Sequence, residues 1–242
     1  MTTGLTYATF VTQLAKLAVV SSDTDTNFQL ILPSAITYAE NRMCRDIDFL
    51  SMFQTNSSFS LATGNRNLSI GTQTSIPFVT IQEINVITPA GTTDPELGTR
   101  IALIPVSKEF LNFTYNSVVG ASTPSYFAML NQYTLLVGPW PDAGYTVELV
   151  GTIRPDSLSA TNSPTFISTY LPDLMLAAAM VYVTGYQRDF GAQASDPQAA
   201  QSWENQYQTL LKGALVEEAR KKFAASGWTS LSPPVVATPS RG

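Results

Sequence analysis

Apolar residues recur along this chain with two different periods, and the changes of period mark where the structure should change. Over residues 5–20, Leu5, Ala8, Phe10, Val11, Leu14, Leu17 and Ala18 fall three or four apart, which gathers side chains on one helical face. A polar break over 21–27, rich in capping residues, leads into a second such stretch over 28–49. There Pro33 stands near the start, and Ile36, Ala39, Glu40, Met43 and Ile47 keep helical register. The same spacing returns over 169–223. Its first run carries Leu171, Leu174, Met175, Ala178, Val181, Tyr182 and Gly185, with Pro172 in the first turn, where its missing amide would have no partner. Its second run begins at Asp196-Pro197 and carries Trp203, Tyr207, Leu210, Leu211, Ala214 and Leu215. Glu217 with Lys221 and Glu218 with Lys222 are acid-before-base pairs four apart, and the lysines suit the negative end of the helix dipole. The short break between the two runs predicts an antiparallel hairpin.

From about residue 54 the period falls to two. Ser58-Phe59-Ser60-Leu61 and Asn67-Leu68-Ser69-Ile70 alternate on either side of a turn at 62–66, the pattern of a hairpin. A Val-, Ile- and Phe-rich run over 78–88 reads as a covered strand, and 90–99 as a polar loop. Residues 101–104 read as a strand, and 107–116 as a short helix or an irregular connection. The clearest hairpin pairs 126–130 with 133–137. A turn at 139–144 then precedes a return over 145–153, in which Tyr145, Val147, Leu149, Gly151 and Ile153 share a face.

Two helices, six to eight strands and two more helices predict an α+β fold. The expected architecture is a four-helix bundle-like body, from two N-terminal and two C-terminal helices, with an inserted antiparallel β-block and an extended C-terminal tail. The expected divisions are an N-terminal helical hairpin (1–53), an inserted β-domain (54–155), a C-terminal helical hairpin packing on the first (156–223) and a partner-binding tail (224–242). In the tail, Gly227, Pro233, Pro234 and Pro239 exclude a helix, while Trp228, Leu231, Val235 and Val236 are apolar without a core of their own. Prolines lower the entropy lost when such a segment docks extended on a partner; the same composition also suits a disordered tail.

Charged residues make up 13% of 242, about half the share usual in soluble domains, and the net charge is −5, which argues against a basic nucleic-acid-binding face. One cysteine, Cys44, excludes an intrachain disulfide and a cysteine metal cluster. The N-terminus lacks the pattern of a signal peptide. The longest apolar run, 174–183, is about half a membrane span, so no membrane is expected as a partner.

The chain contains no histidine, which removes histidine-activated nucleophiles and the commonest metal ligand. Phosphate-binding glycine loops and a nucleophile elbow are also missing. Catalytic, metal-binding and cofactor-binding residues are therefore all expected to be none. Three carboxylate pairs remain: Asp46 with Asp48, Asp94 with Glu96, and Glu217 with Glu218. Each has a structural reading at a helix end, in a polar loop or beside lysines. Tyr126, Tyr133, Trp140 and Tyr145 surround one hairpin, as packing anchors or as a stacking surface for sugar or base. Lys212, Arg220, Lys221 and Lys222 form the one basic cluster in the sequence, a solvated helix end or a contact for a polyanion.

Taken in order, several stretches resemble a phage head-to-tail adaptor family: Leu32-Pro33 with Ala39-Glu40 and Arg42, the turn 62–66, Thr123-Pro124-Ser125-Tyr126-Phe127-Ala128, the run 136–143, 145–149 with Arg154-Pro155, and the closing helical pair. This is the podovirus-type adaptor, similar to tail accessory factor and tail tubular protein A. The resemblance covers about 5–223 and concerns turns and caps, hence a scaffold and not an active site. It implies a structural virion protein at the head–tail junction, made in the host cytoplasm. It further implies a dodecameric homo-oligomeric ring that docks a portal protein on one side and a tail or nozzle protein on the other, with DNA passing through its lumen. By position, the tail with Trp228, Leu231, Pro233, Pro234, Val235 and Val236 would bind the portal, and loops with Asp94, Glu96, Trp140 and Asp142 would face the tail. The other reading of these residues is a carbohydrate- or receptor-binding virion module that uses the aromatic hairpin around Trp140.

Overall fold

A computed structural model describes residues 4–22, 24–72, 78–190 and 198–225. The chain divides into two compact units, one formed by residues 1–50 with 156–242 and the other by 51–155.

The first unit is helical: α1 (Tyr7–Leu17), α2 (Thr26–Asp46), a short α4 (Phe166–Tyr170), α5 (Pro172–Phe190) and α6 (Ala199–Ala225), with α3 belonging to the second unit. Their starts follow local chemistry: the Thr6, Asp25 and Thr165 side chains accept hydrogen bonds from the first-turn amides of α1, α2 and α4. α1, α2, α4 and α6 all pack on α5. Leu174, Met175, Ala177, Ala178, Ala179, Met180 and Val183 are buried around the whole circumference of α5, as befits a central helix. The three consecutive alanines keep it slim enough for neighbours on several sides. Pro33 lies well inside α2, which tolerates it. At the end of α1, Val19 takes a left-handed conformation (φ 58°), and the Val19 and Val20 amides donate back to the Lys16 and Ala15 carbonyls.

Polar ties complete this unit. Arg42 makes a two-pronged pair with Glu204 (2.6 and 2.5 Å) and stacks 4.0 Å over the Tyr207 ring. Tyr207 hydroxyl donates to Asp46 at 2.7 Å. The Leu158 amide donates to buried Glu40 at 2.8 Å, pinning the chain where it re-enters the helical unit.

The described residues of the second unit form eight strands in two four-stranded sheets. The first sheet has the order β1 (Phe53–Leu61), β8 (Tyr145–Thr152), β3 (Thr80–Thr88), β4 (Thr99–Ala102); the second has β2 (Asn67–Ser69), β7 (Thr134–Gly138), β6 (Tyr126–Asn131), β5 (Ile104–Pro105). All pairings are antiparallel except β5 with β6. The shared core holds Leu61, Ile84, Val86, Leu135, Val137 and Val147, joined by Leu149. α3 (Lys108–Thr114) packs on β6 and β7 by inserting Leu111 between Ala128 and Leu136.

This architecture corrects the expected four-helix bundle-like body with an inserted antiparallel β-block. The described residues form six helices, and the β-region is a two-layer unit with its own core. The expectation failed because helical periodicity reveals an apolar face but not its partner: α5 and α6 do pack together, but α1 and α2 each pack on α5 instead of forming a separate hairpin. The alternating stretches around 62–66 do not pair as a hairpin either. β1 joins β8 and β2 joins β7, so the turn carries the chain from one sheet to the other. Alternation fixes which side chains face inward but not which strand lies alongside.

Candidate functional site: a stitched crown of loops

The chain enters the β-unit at Ser51 and leaves it at Pro155. Phe53 stands opposite Thr152 and Leu61 opposite Tyr145, so β1 runs away from the entry and β8 returns to it. The opposite end therefore collects four connections, 62–66, 89–98, 115–125 and 138–145. Hydrogen bonds between non-sequential turns stitch them together. Gly64 N–H donates to Pro141 C=O (2.8 Å), Gly91 N–H to Gly144 C=O (3.1 Å) and Ser122 N–H to Trp140 C=O (2.9 Å). Thr146 hydroxyl reaches Thr92 C=O at 2.7 Å. Gly64 and Gly91 have φ of 68° and 82°, a conformation that favours glycine at both crossings.

Side chains reinforce the crown. Trp140 Nε1 donates to Tyr115 C=O at 2.9 Å, and Arg66 donates to the same carbonyl and to the Asn112 side chain. The Arg66 guanidinium lies 5.1 Å over the Trp140 ring. Gly138 admits this packing, since a Cβ there would stand 2.7 Å from Leu111 Cδ2 and 2.8 Å from the Tyr115 ring. Tyr145 hydroxyl bonds Asp142 (2.8 Å) and Thr123 (2.9 Å), and burial pushes its pKa up. Asp94 accepts from the Glu96 amide at 3.0 Å, and Glu96 pairs with Arg100 at 2.7 Å. Arg100 also binds Glu148 at 2.9 Å; its hydrogen bond holds that carboxyl below the usual range, against the opposing effect of burial.

The crown and the adjoining end of α3 present apolar side chains on this fixed support. Val119, Phe113 and Leu97 are 87%, 86% and 81% exposed. The backbone beneath them is held, so their exposure is a property of the fold.

The structure brings Asp94, Glu96, Trp140 and Asp142 to the same end of the β-unit. It also shows what each is engaged in, and the roles of Arg66, Asn112 and Tyr115 were not legible beforehand. Arg66 looked like a turn residue, and nothing in the spacing links it to a tryptophan 74 positions on. The expected portal-binding residues Trp228, Leu231, Pro233, Pro234, Val235 and Val236 lie outside the described residues. Asp46 is engaged by Tyr207 and Arg42, Asp48 by Lys222, and Glu217 and Glu218 both by Lys221. These carboxylates serve as helix-to-helix and intrahelix ties. No helix among the described residues is long and apolar enough to cross a membrane, and no group of three or more metal-ligating side chains is found among them.

A two-unit α+β chain whose polar groups are spent on stitching loops and helices together has the character of a scaffold. The profile of the SU10 adaptor protein family matches residues 5–233, and the chain belongs to that family. It is thus a phage adaptor-type protein, a structural component of a virion. No curated protein matches it.

Proposed function

We propose that this protein is the ring-forming subunit that joins the portal to the tail of a tailed phage and continues the channel through which DNA leaves. The match to an adaptor family along nearly the whole chain carries this reading. The ring is a dodecamer, as the resemblance to podovirus-type adaptors implies, and it works by assembly and not by chemistry. Its crown, with Leu97, Phe113 and Val119 exposed beside Asp94, Glu96, Trp140 and Asp142, is the face offered to the tail or nozzle protein. The segment 226–242 anchors the ring to the portal. A net charge of −5 suits a channel wall along which DNA slides without sticking.

The rival reading is glycan or receptor binding by Trp140; Arg66 lies over one face of its ring and Tyr115 C=O takes its N–H, which leaves at most the other face for stacking on a sugar.

The test is the mass of the complex formed with the portal protein of the same phage, for the full chain and for a chain ending at Ala225. The full chain should form a ring on the portal that the shortened chain does not form. Equal binding by both chains would remove the tail from the anchor role, and a monomer that ignores the portal would overturn the reading.

A further inference from the structure

The two sheets end in unlike edges. In the second sheet both edges are blunted: β2 has three residues, and β5 has two and ends on Pro105. Such shortening is how proteins avoid unwanted strand addition. The first sheet departs from this rule. Its edge strand β1 is nine residues long, bonded among the described residues to β8 alone, and its sequence FQTNSSFSL contains no charge and no proline. A bulge between Asn56 and Phe59 interrupts it, with Ser58 N–H donating to the Asn56 side chain at 2.8 Å. The straight portion ahead of the bulge is therefore Phe53 to Asn56, four residues, of which the first three are exposed. The opposite edge of the same sheet, β4 (Thr99–Ala102), is also four residues long.

Length is not the only match. β1 is antiparallel to β8, β8 to β3 and β3 to β4, so β1 and β4 run in opposite directions. Two copies laid edge to edge with the same face outward would therefore meet as an antiparallel pair, the commoner sheet pairing. We propose that Phe53–Asn56 of one copy adds to β4 of a second copy, so that one sheet runs on from subunit to subunit. This inference rests on the ring reading and specifies its lateral contact.

Face and offset agree with it. Gln54 stands opposite Gly151, and Ile101 opposite Val86, in the inward-facing rows of their strands, whereas Thr55 and Arg100 belong to the outward rows. Pairing Phe53 with Ala102, Gln54 with Ile101, Thr55 with Arg100 and Asn56 with Thr99 keeps every side chain on its own face. Arg100 is tied across the sheet to Glu148 and leaves the edge clear. Phe53 stands level with Thr152, whereas Ala102 stands, through Asn85, level with Glu148. Each added copy thus steps four residues along the strands, roughly 14 Å, for a four-stranded width of about 19 Å. The implied strand tilt is about 36°, within or close to the range of closed barrels. A contact between two different edges repeats from copy to copy, and it gives a ring where the rotation between copies closes, as the ring reading requires.

The experiment uses the full chain with Cys44→Ala, Gln54→Cys and Ile101→Cys, assembled on the portal and oxidised. Within one copy the two new cysteines sit at opposite edges of a four-stranded sheet and four residues apart along it, roughly 20 Å in all, beyond disulfide reach, so a bond can form only between copies. The expected result is a reductant-sensitive ladder of covalent multimers extending beyond the dimer, with no species beyond a dimer from either single-cysteine chain. As a check independent of substitution, amide exchange over 53–56 in the unaltered chain should slow by about tenfold or more on assembly. A ring of full mass with no ladder from this pair or from Thr55→Cys with Arg100→Cys, and with unchanged exchange over 53–56, overturns the edge contact and leaves the ring standing. Failure to assemble at all overturns the ring reading and this contact with it.

Discussion

Val19 shows how much a single backbone angle can reveal. A β-branched residue at φ 58° crowds its own Cβ, and its side chain, 72% exposed, gains little packing in return. Val19→Gly should therefore stabilise the folded chain by about 0.5–1 kcal/mol, read as a higher urea midpoint with an unchanged slope. Glu40 carries the opposite kind of tension. Burial raises its pKa, and the hydrogen bonds from Leu158 and Ser157 only partly offset that. A carboxyl whose folded pKa is raised contributes stability below its unfolded value, and that contribution is lost as pH rises through the folded value. Glu40→Gln keeps an acceptor for the Leu158 amide and does not titrate. Its stability relative to the unaltered chain should rise from pH 4 upward and level off once the buried carboxyl is ionised. Denaturant midpoints across pH measure this, and a flat difference would contradict it.

At the scale of elements, the crown is the part most sensitive to small changes. Trp140→Phe keeps the ring but removes the donor to Tyr115 C=O, a loss of about 1 kcal/mol. Arg66→Ala removes the bonds to Tyr115 and Asn112 and the contact over Trp140. Both variants should raise amide exchange over 112–121 while leaving β3 and β8 protected; exchange unchanged in that loop would show the crown is held by something else. The same elements show what sequence makes legible. The inward row of β8, from Tyr145 through Val147 and Leu149, follows from alternation alone, and Pro172 at the start of α5 follows from its missing amide. The packing of α1 on α5 does not follow, because both faces read as apolar and periodicity carries no address. Nor does the crown: turns at 64, 91, 120 and 140 are each visible as glycine or proline signals, but their stitching depends on which strands neighbour each other. The four candidate residues Asp94, Glu96, Trp140 and Asp142 follow from the resemblance, as loops expected to face the tail. Phe113 and Val119, the most exposed large apolar side chains among the described residues, carried no local signal, since an exposed apolar residue and a core residue look alike in sequence.

At the scale of the whole molecule, two compact units suit a part that must hold different partners at once. A helical unit organised on α5 and a β-unit ending in a rigid crown each have a core of their own. Replacing Leu97, Phe113 and Val119 together with Ser should leave the ring on the portal unchanged in mass. It should weaken attachment of the tail-side protein by at least tenfold, as expected when an apolar anchor cluster is removed from an interface. Retained tail attachment would move the tail-side contact elsewhere. A reconstruction of this protein bound to its portal decides the arrangement. The expected result is a closed ring of twelve copies on the tail side of the portal, with the loops 62–66, 89–98, 115–125 and 138–145 at the end away from it. Copies bound singly, or a ring with that crown against the portal, would contradict it.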